Sequence, residues 1–77
     1  MRYNGHKNKN HWNVSLWLNN DERLYRGMLS HIRAAKNKDT AARAFFYTLK
    51  SHKEEHTPDG APYSVASIRA AMIGLEA

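Results

Sequence analysis
Both tryptophans of the chain fall inside one seven-residue run, Trp12-Asn13-Val14-Ser15-Leu16-Trp17-Leu18, preceded by Asn10-His11 and followed by Asn19-Asn20. Any fold must shelter much of that run, and its conformation decides the fold class. Trp12, Val14, Leu16 and Leu18 alternate in the manner of a half-buried strand. Val14, Trp17 and Leu18 equally share one face of a helix. The rest of the chain offers no convincing second strand, and an unpaired strand leaves backbone donors and acceptors unsatisfied. The run is therefore read as a short helix.

Three further helices follow. Asn19 or Asn20 is expected to cap the next one, with Glu22 three residues after Asn19 as in a capping box. Leu24, Tyr25, Met28, Leu29 and Ile32 recur at helical spacing, and the helix is placed at about residues 20 to 36. Asp39 is expected to cap a third helix that buries Ala42, Phe45, Phe46 and Leu49 and frays near Glu54 to His56, ahead of Pro58. Thr57-Pro58-Asp59-Gly60 reads as a turn, since proline presets φ and glycine accepts the positive φ that follows. Ser64 starts the last helix, with Tyr63 and Ile68 spaced as a hydrophobic staple and Ile73 off the buried stripe.

The expected fold is all-α: one small compact domain of three to four helices spanning residues 1 to 77. Residues 1 to 10, with Arg2, His6, Lys7 and Lys9 among asparagines, are read as an extended basic arm or loop, and 11 to 77 as the helical body. Both tryptophans are expected in the core. With 77 residues and no cysteine, neither a disulfide nor a thiolate metal site can reinforce the core. No apolar run approaches the roughly 20 residues of a membrane span, and the opening residues lack a signal-peptide core. A cytoplasmic protein, monomer or homodimer, is expected.

The opening from Tyr3 to Tyr25 resembles a family of small phage and mobile-element proteins that share a YNG…N…WNVxLWLxNDxxLY pattern. The matching residues are Tyr3, Asn4, Gly5, Trp12, Asn13, Val14, Leu16, Trp17, Leu18, Asn20, Asp21, Leu24 and Tyr25. The family carries no general assigned function. The resemblance implies the company of small phage proteins that act by binding one complex of the bacterial host.

Chemistry in the sequence is sparse. His52-Lys53-Glu54-Glu55-His56 matches H-x-x-E-H, which on a helix would set two imidazoles one turn apart for zinc. It lies at a fraying helix end, and no third protein ligand stands at a suitable distance. No nucleophile elbow or glycine-rich phosphate loop occurs. No catalytic residue, metal or cofactor is assigned, and the chain is read as a non-enzyme.

Charge is the stronger signal. Twelve Lys and Arg against seven Asp and Glu give +5, which suits an anionic partner. Arg23, Arg26 and Arg33 project from one face of the second helix, Lys36 and Lys38 join it to the third, and Arg43, Tyr47 and Lys50 lie along a flank of the third. These eight residues are the candidate partner-binding set, with Tyr47 and Ile73 as anchors. The expected partner is a host protein or ribonucleoprotein complex, covered in the manner of an anti-CRISPR or anti-restriction inhibitor. Direct nucleic-acid binding through the same residues is the alternative. The third helix carries FFYTLK, mostly core, and so offers few side chains for reading bases.

Overall fold
The computed structural model describes residues 8 to 75. They form four helices: α1 (Lys9–Asn20), α2 (Glu22–Ala34), α3 (Lys38–Ser51) and α4 (Val65–Met72). The all-α reading holds, and the tryptophan run is helical. The helix around it is longer than the run itself. Asn8 caps it, its side chain accepting from the backbone N–H of His11 at 2.9 Å. Lys9 and Asn10 are therefore helical, where an extended arm was expected. Residues 1 to 7, the rest of that arm, lie outside the described residues.

One residue separates α1 from α2. Asp21 donates its backbone N–H to the Trp17 carbonyl, closing α1, while its side chain accepts from the N–H of Leu24 and opens α2. This corrects the expected cap at Asn19 or Asn20. Those asparagines instead turn back on α1, donating to the carbonyls of Ser15 and Leu16 four residues earlier. An aspartate outcompetes them because its carboxylate also meets the positive end of the α2 dipole. At the far end α2 stops at Ala34, so Lys36 sits in the turn after it.

Asn37, not Asp39, caps α3, accepting from the N–H of Thr40 at 2.8 Å. Asp39 lies in the first turn, where its charge is also favourable. The helix ends at Ser51, earlier than expected, in a Schellman arrangement. The N–H of Lys53 bonds the Lys50 carbonyl, and that of Glu54 bonds the Leu49 carbonyl. Lys53 takes the left-handed position with φ 61°, a place glycine usually fills. At α4 the expected cap stands. Ser64 accepts from the N–H of Ser67, and Ser67 returns the bond through its own hydroxyl. A serine thus replaces the usual glutamate in the box.

The core is shared by all four helices. Val14 and Leu18 of α1, Leu24 and Met28 of α2, Ala41, Ala42, Phe45 and Leu49 of α3, and Ile68, Ala71 and Met72 of α4 are buried. Tyr63, just before α4, joins them. α1 packs on α4 and α2, and α3 packs on α2 and α4. Gly27 lets the α2 backbone approach Phe45, since a Cβ there would lie 3.2 Å from the ring. His31 ties the same two helices. Its Nδ1 donates to the Gly27 carbonyl, its Nε2 lies 2.9 Å from the Thr48 hydroxyl, and its ring packs on Phe45. Trp12 and Trp17 are half-buried, not core as expected, and Phe46 is likewise half-buried against the core.

The half-burial of Trp17 has a polar cause. Its indole N–H donates to Asp59 Oδ2 at 2.9 Å, across 42 residues of chain. Asn13, one turn earlier on α1, donates to the same oxygen at 2.9 Å and accepts from the Thr57 hydroxyl at 2.6 Å. Thr57 Oγ1 in turn accepts from the N–H of Ala61, and Gly60, at φ 92°, closes the turn onto the Thr57 carbonyl. Asn13 and Thr57 are both buried, and every buried side-chain polar atom among the described residues has a partner. The turn before α4 is thereby clamped to α1.

Replacing Lys53 with glycine relieves the left-handed strain and should raise unfolding free energy by about 1 kcal/mol in urea titration. A loss of stability would show that the lysine side chain, not the backbone, decides this helix end.

Candidate docking surface
The expected binding residues occupy the outer faces of α2, α3 and the turn between them. Arg23, Arg26, Arg33, Lys36, Arg43, Tyr47 and Lys50 are exposed, and Lys38 is half-buried at the start of α3. Tyr47 is the most open large side chain of the set at 67% exposure, and its ring meets Phe46 edge-on. Ile73, 64% exposed, follows α4 and is open as expected.

These cations do not form one uniform stripe. Arg23 makes a two-pronged contact with Glu54, which comes from the segment after α3 and so bridges the two helices. Arg26 pairs with Glu22 one turn earlier on α2, and Arg43 with Asp39 at 3.1 Å on α3. The Glu54 carboxylate, by hydrogen bond and charge, raises the Arg23 pKa further above its already high ordinary value. Pairs this exposed contribute at most about 1 kcal/mol each to stability. Their consequence is for the surface, where carboxylates alternate with the basic stripe expected from the sequence. Arg33, Lys36, Lys38 and Lys50 form no ion pair among the described residues.

Beside this face lies a recess of about 200 Å³ whose lining includes Phe46, Lys50, Glu54, His56 and Tyr63. Burial, followed by the nearby Glu54 charge, raises the Tyr63 phenol pKa. His52 and His56 are not set for a shared metal ion. The Schellman turn ends the helix before them, His52 stands at its cap, and His56 faces Pro62 in an isolated antiparallel bridge. Both are exposed. No helix among the described residues is long and apolar enough to cross a membrane.

A family model matches residues 1–75, nearly the whole chain. The chain belongs to the family of unknown function DUF7249. No curated protein and no solved structure matches it. Several residues of the opening pattern have structural duties in this member of DUF7249. Asn13 and Trp17 hold Asp59, Val14 and Leu18 fill the core, and Asp21 makes the bend into α2.

Two partners escaped the sequence reading. From sequence Asp59 reads only as a turn residue, and Glu54 as a flank residue at the fraying end of the third helix, neither with an assigned partner. A signal for the first existed in the asparagine at position 13, set inside an apolar run, because a buried amide needs partners.

Two donors on one oxygen, Asn13 first and Trp17 second, lower the Asp59 carboxyl below its ordinary pKa. A depressed carboxyl adds stability above its unfolded pKa, about 4, and loses that contribution as pH falls through the folded value. Trp17→Phe removes one donor. Its melting temperature should therefore lie below wild type by a constant margin near neutrality, and the margin should shrink on acidification below about pH 4. A margin that is unchanged at low pH would contradict the role of the ionised carboxylate.

Proposed function
We propose that this domain is a small phage-type binding protein that inhibits a host defence or nucleic-acid-processing complex in the bacterial cytoplasm. The action is of the anti-CRISPR or anti-restriction kind, covering a surface without catalysis. The observation that supports it best is the composition of the α2–α3 face. Arg23, Arg26 and Arg43 are each matched by a carboxylate on the same face, and Tyr47 stands exposed beside them. A patch of alternating sign around an aromatic side chain suits a protein surface, where an exposed tyrosine can fill a pocket and rim charges set orientation. A phosphate backbone, by contrast, rewards cations left unneutralised. Direct nucleic-acid binding across this whole face is therefore the weaker reading.

The ion pairs also guide mutagenesis. Replacing Arg23 or Arg26 by glutamate would set like charges against Glu54 or Glu22, so charge reversal there disturbs the surface it is meant to test. Tyr47→Ala combined with Arg43→Gln avoids that conflict. In a pull-down from nuclease-treated bacterial lysate, the wild-type domain should retain a defined protein complex, and this double variant should lose at least about 90% of it while keeping its helical circular dichroism. A ΔΔG of about 1.4 kcal/mol at a central aromatic suffices for a tenfold loss of affinity. Retention of the complex by the variant, or capture that vanishes with nuclease, would refute the docking role of this face.

A further inference from the structure
The corner where α2 turns into α3 differs from the rest of the binding face. Arg33, Lys36 and Lys38 fall within six residues of one another in a tight connection, and Arg33 and Lys36 are exposed. The acidic residue nearest in sequence, Asp39, is engaged with Arg43 through its Oδ2. The other carboxylates of the face, Glu22 and Glu54, pair with Arg26 and Arg23 near the opposite end of α2. Ten helical residues separate Arg23 from Arg33, about 15 Å along the axis. The face thus divides into a flank whose three arginines are charge-matched, with Lys50 outside these pairs, and a positive corner none of whose cations is paired.

We propose that the corner is a contact site for the phosphodiester backbone of a nucleic acid, and that the partner covered by the flank is a complex carrying RNA or DNA. This builds on the docking reading above and adds the chemistry of the partner. The residues between the three cations are Ala34, Ala35 and Asn37, which supply no aromatic or large aliphatic anchor. A protein interface concentrates its energy in such anchors. Phosphate contacts need only cations and hydrogen-bond donors, and they position a partner without reading its sequence. The Asn37 amide is already committed as the α3 cap through its oxygen. The negative end of α2 and the positive end of α3 meet here and offset one another, so the three side chains set the sign of the corner.

Fluorescence anisotropy with a labelled single-stranded RNA and a labelled DNA duplex, at salt from about 50 to about 200 mM, tests this directly. Three phosphate contacts predict a log–log slope of affinity against salt of roughly −2 to −3. The combined variant Arg33→Gln, Lys36→Gln and Lys38→Gln should bind at least about tenfold more weakly, with a slope near zero. A control with the same loss of charge elsewhere, Lys9→Gln, Lys53→Gln and Arg69→Gln, should keep most of the affinity and the slope. The single flank change Tyr47→Ala, which leaves the Arg43–Asp39 pair intact, should bind nucleic acid like wild type, so a failure of the flank reading is visible separately in the pull-down. The proposal is overturned if wild type does not bind at low salt, or if corner and control variants weaken alike. It is equally overturned if polyglutamate of matched charge displaces the nucleic acid as well as unlabelled nucleic acid does, which would make the corner a site for acidic protein.

Discussion
The Asp59 carboxylate, held by Asn13 and Trp17, is the constraint on which the arrangement of this domain turns. α1 and α4 are far apart in sequence, and the segment between α3 and α4 contains no helix, only the single antiparallel bridge of His56 with Pro62. Apolar burial alone would draw α4 toward α1 without fixing its register. Two donors from successive turns of α1 converge on one oxygen in the turn, and Thr57 returns a third bond to Asn13. These bonds have direction, which burial lacks, and they act where α4 packs on α1 in the shared core. Asn13 and Trp17 on the polar side and Val14 and Leu18 on the apolar side of α1 thus serve one junction.

The helices themselves were readable because each carries a local rule. Met28 four residues after Leu24, Leu49 four after Phe45 and Ser64 ahead of Val65 are governed by spacing and capping within one turn. The caps were harder, because adjacent polar residues compete and geometry decides. Asn19, Asn20 and Asp21 are all good cap residues, and the single-residue bend selects the aspartate. Asn37 and Asp39 pose the same choice, and the chain takes the first. The fold class was therefore accessible from sequence, while most helix ends shifted, that of α3 from the Glu54–His56 region back to Ser51.

The candidate face is exposed where helical spacing puts it, and its charge is mixed in sign. Helical spacing puts Arg23, Arg26 and Arg33 outward, and they are outward. The carboxylate partner of Arg23 comes from beyond α3, a long-range contact that no local pattern reveals. The pairs at Glu22–Arg26 and Asp39–Arg43 are local, at four-residue spacing, and could have been anticipated from that rule. Pairing divides an apparent stripe into two chemically different surfaces, and that division underlies both proposals for what the domain binds.

A double-mutant cycle on Asn13→Ala and Thr57→Val, followed by urea unfolding, tests the clamp most directly. The two residues are buried, lie 44 positions apart in sequence and meet through a 2.6 Å hydrogen bond. The account predicts a coupling energy within about 0.5–3 kcal/mol, the double variant losing less than the sum of the singles. Additivity to within about 0.3 kcal/mol would mean that α1 and the turn before α4 do not depend on each other through these side chains, and the clamp would have to be abandoned.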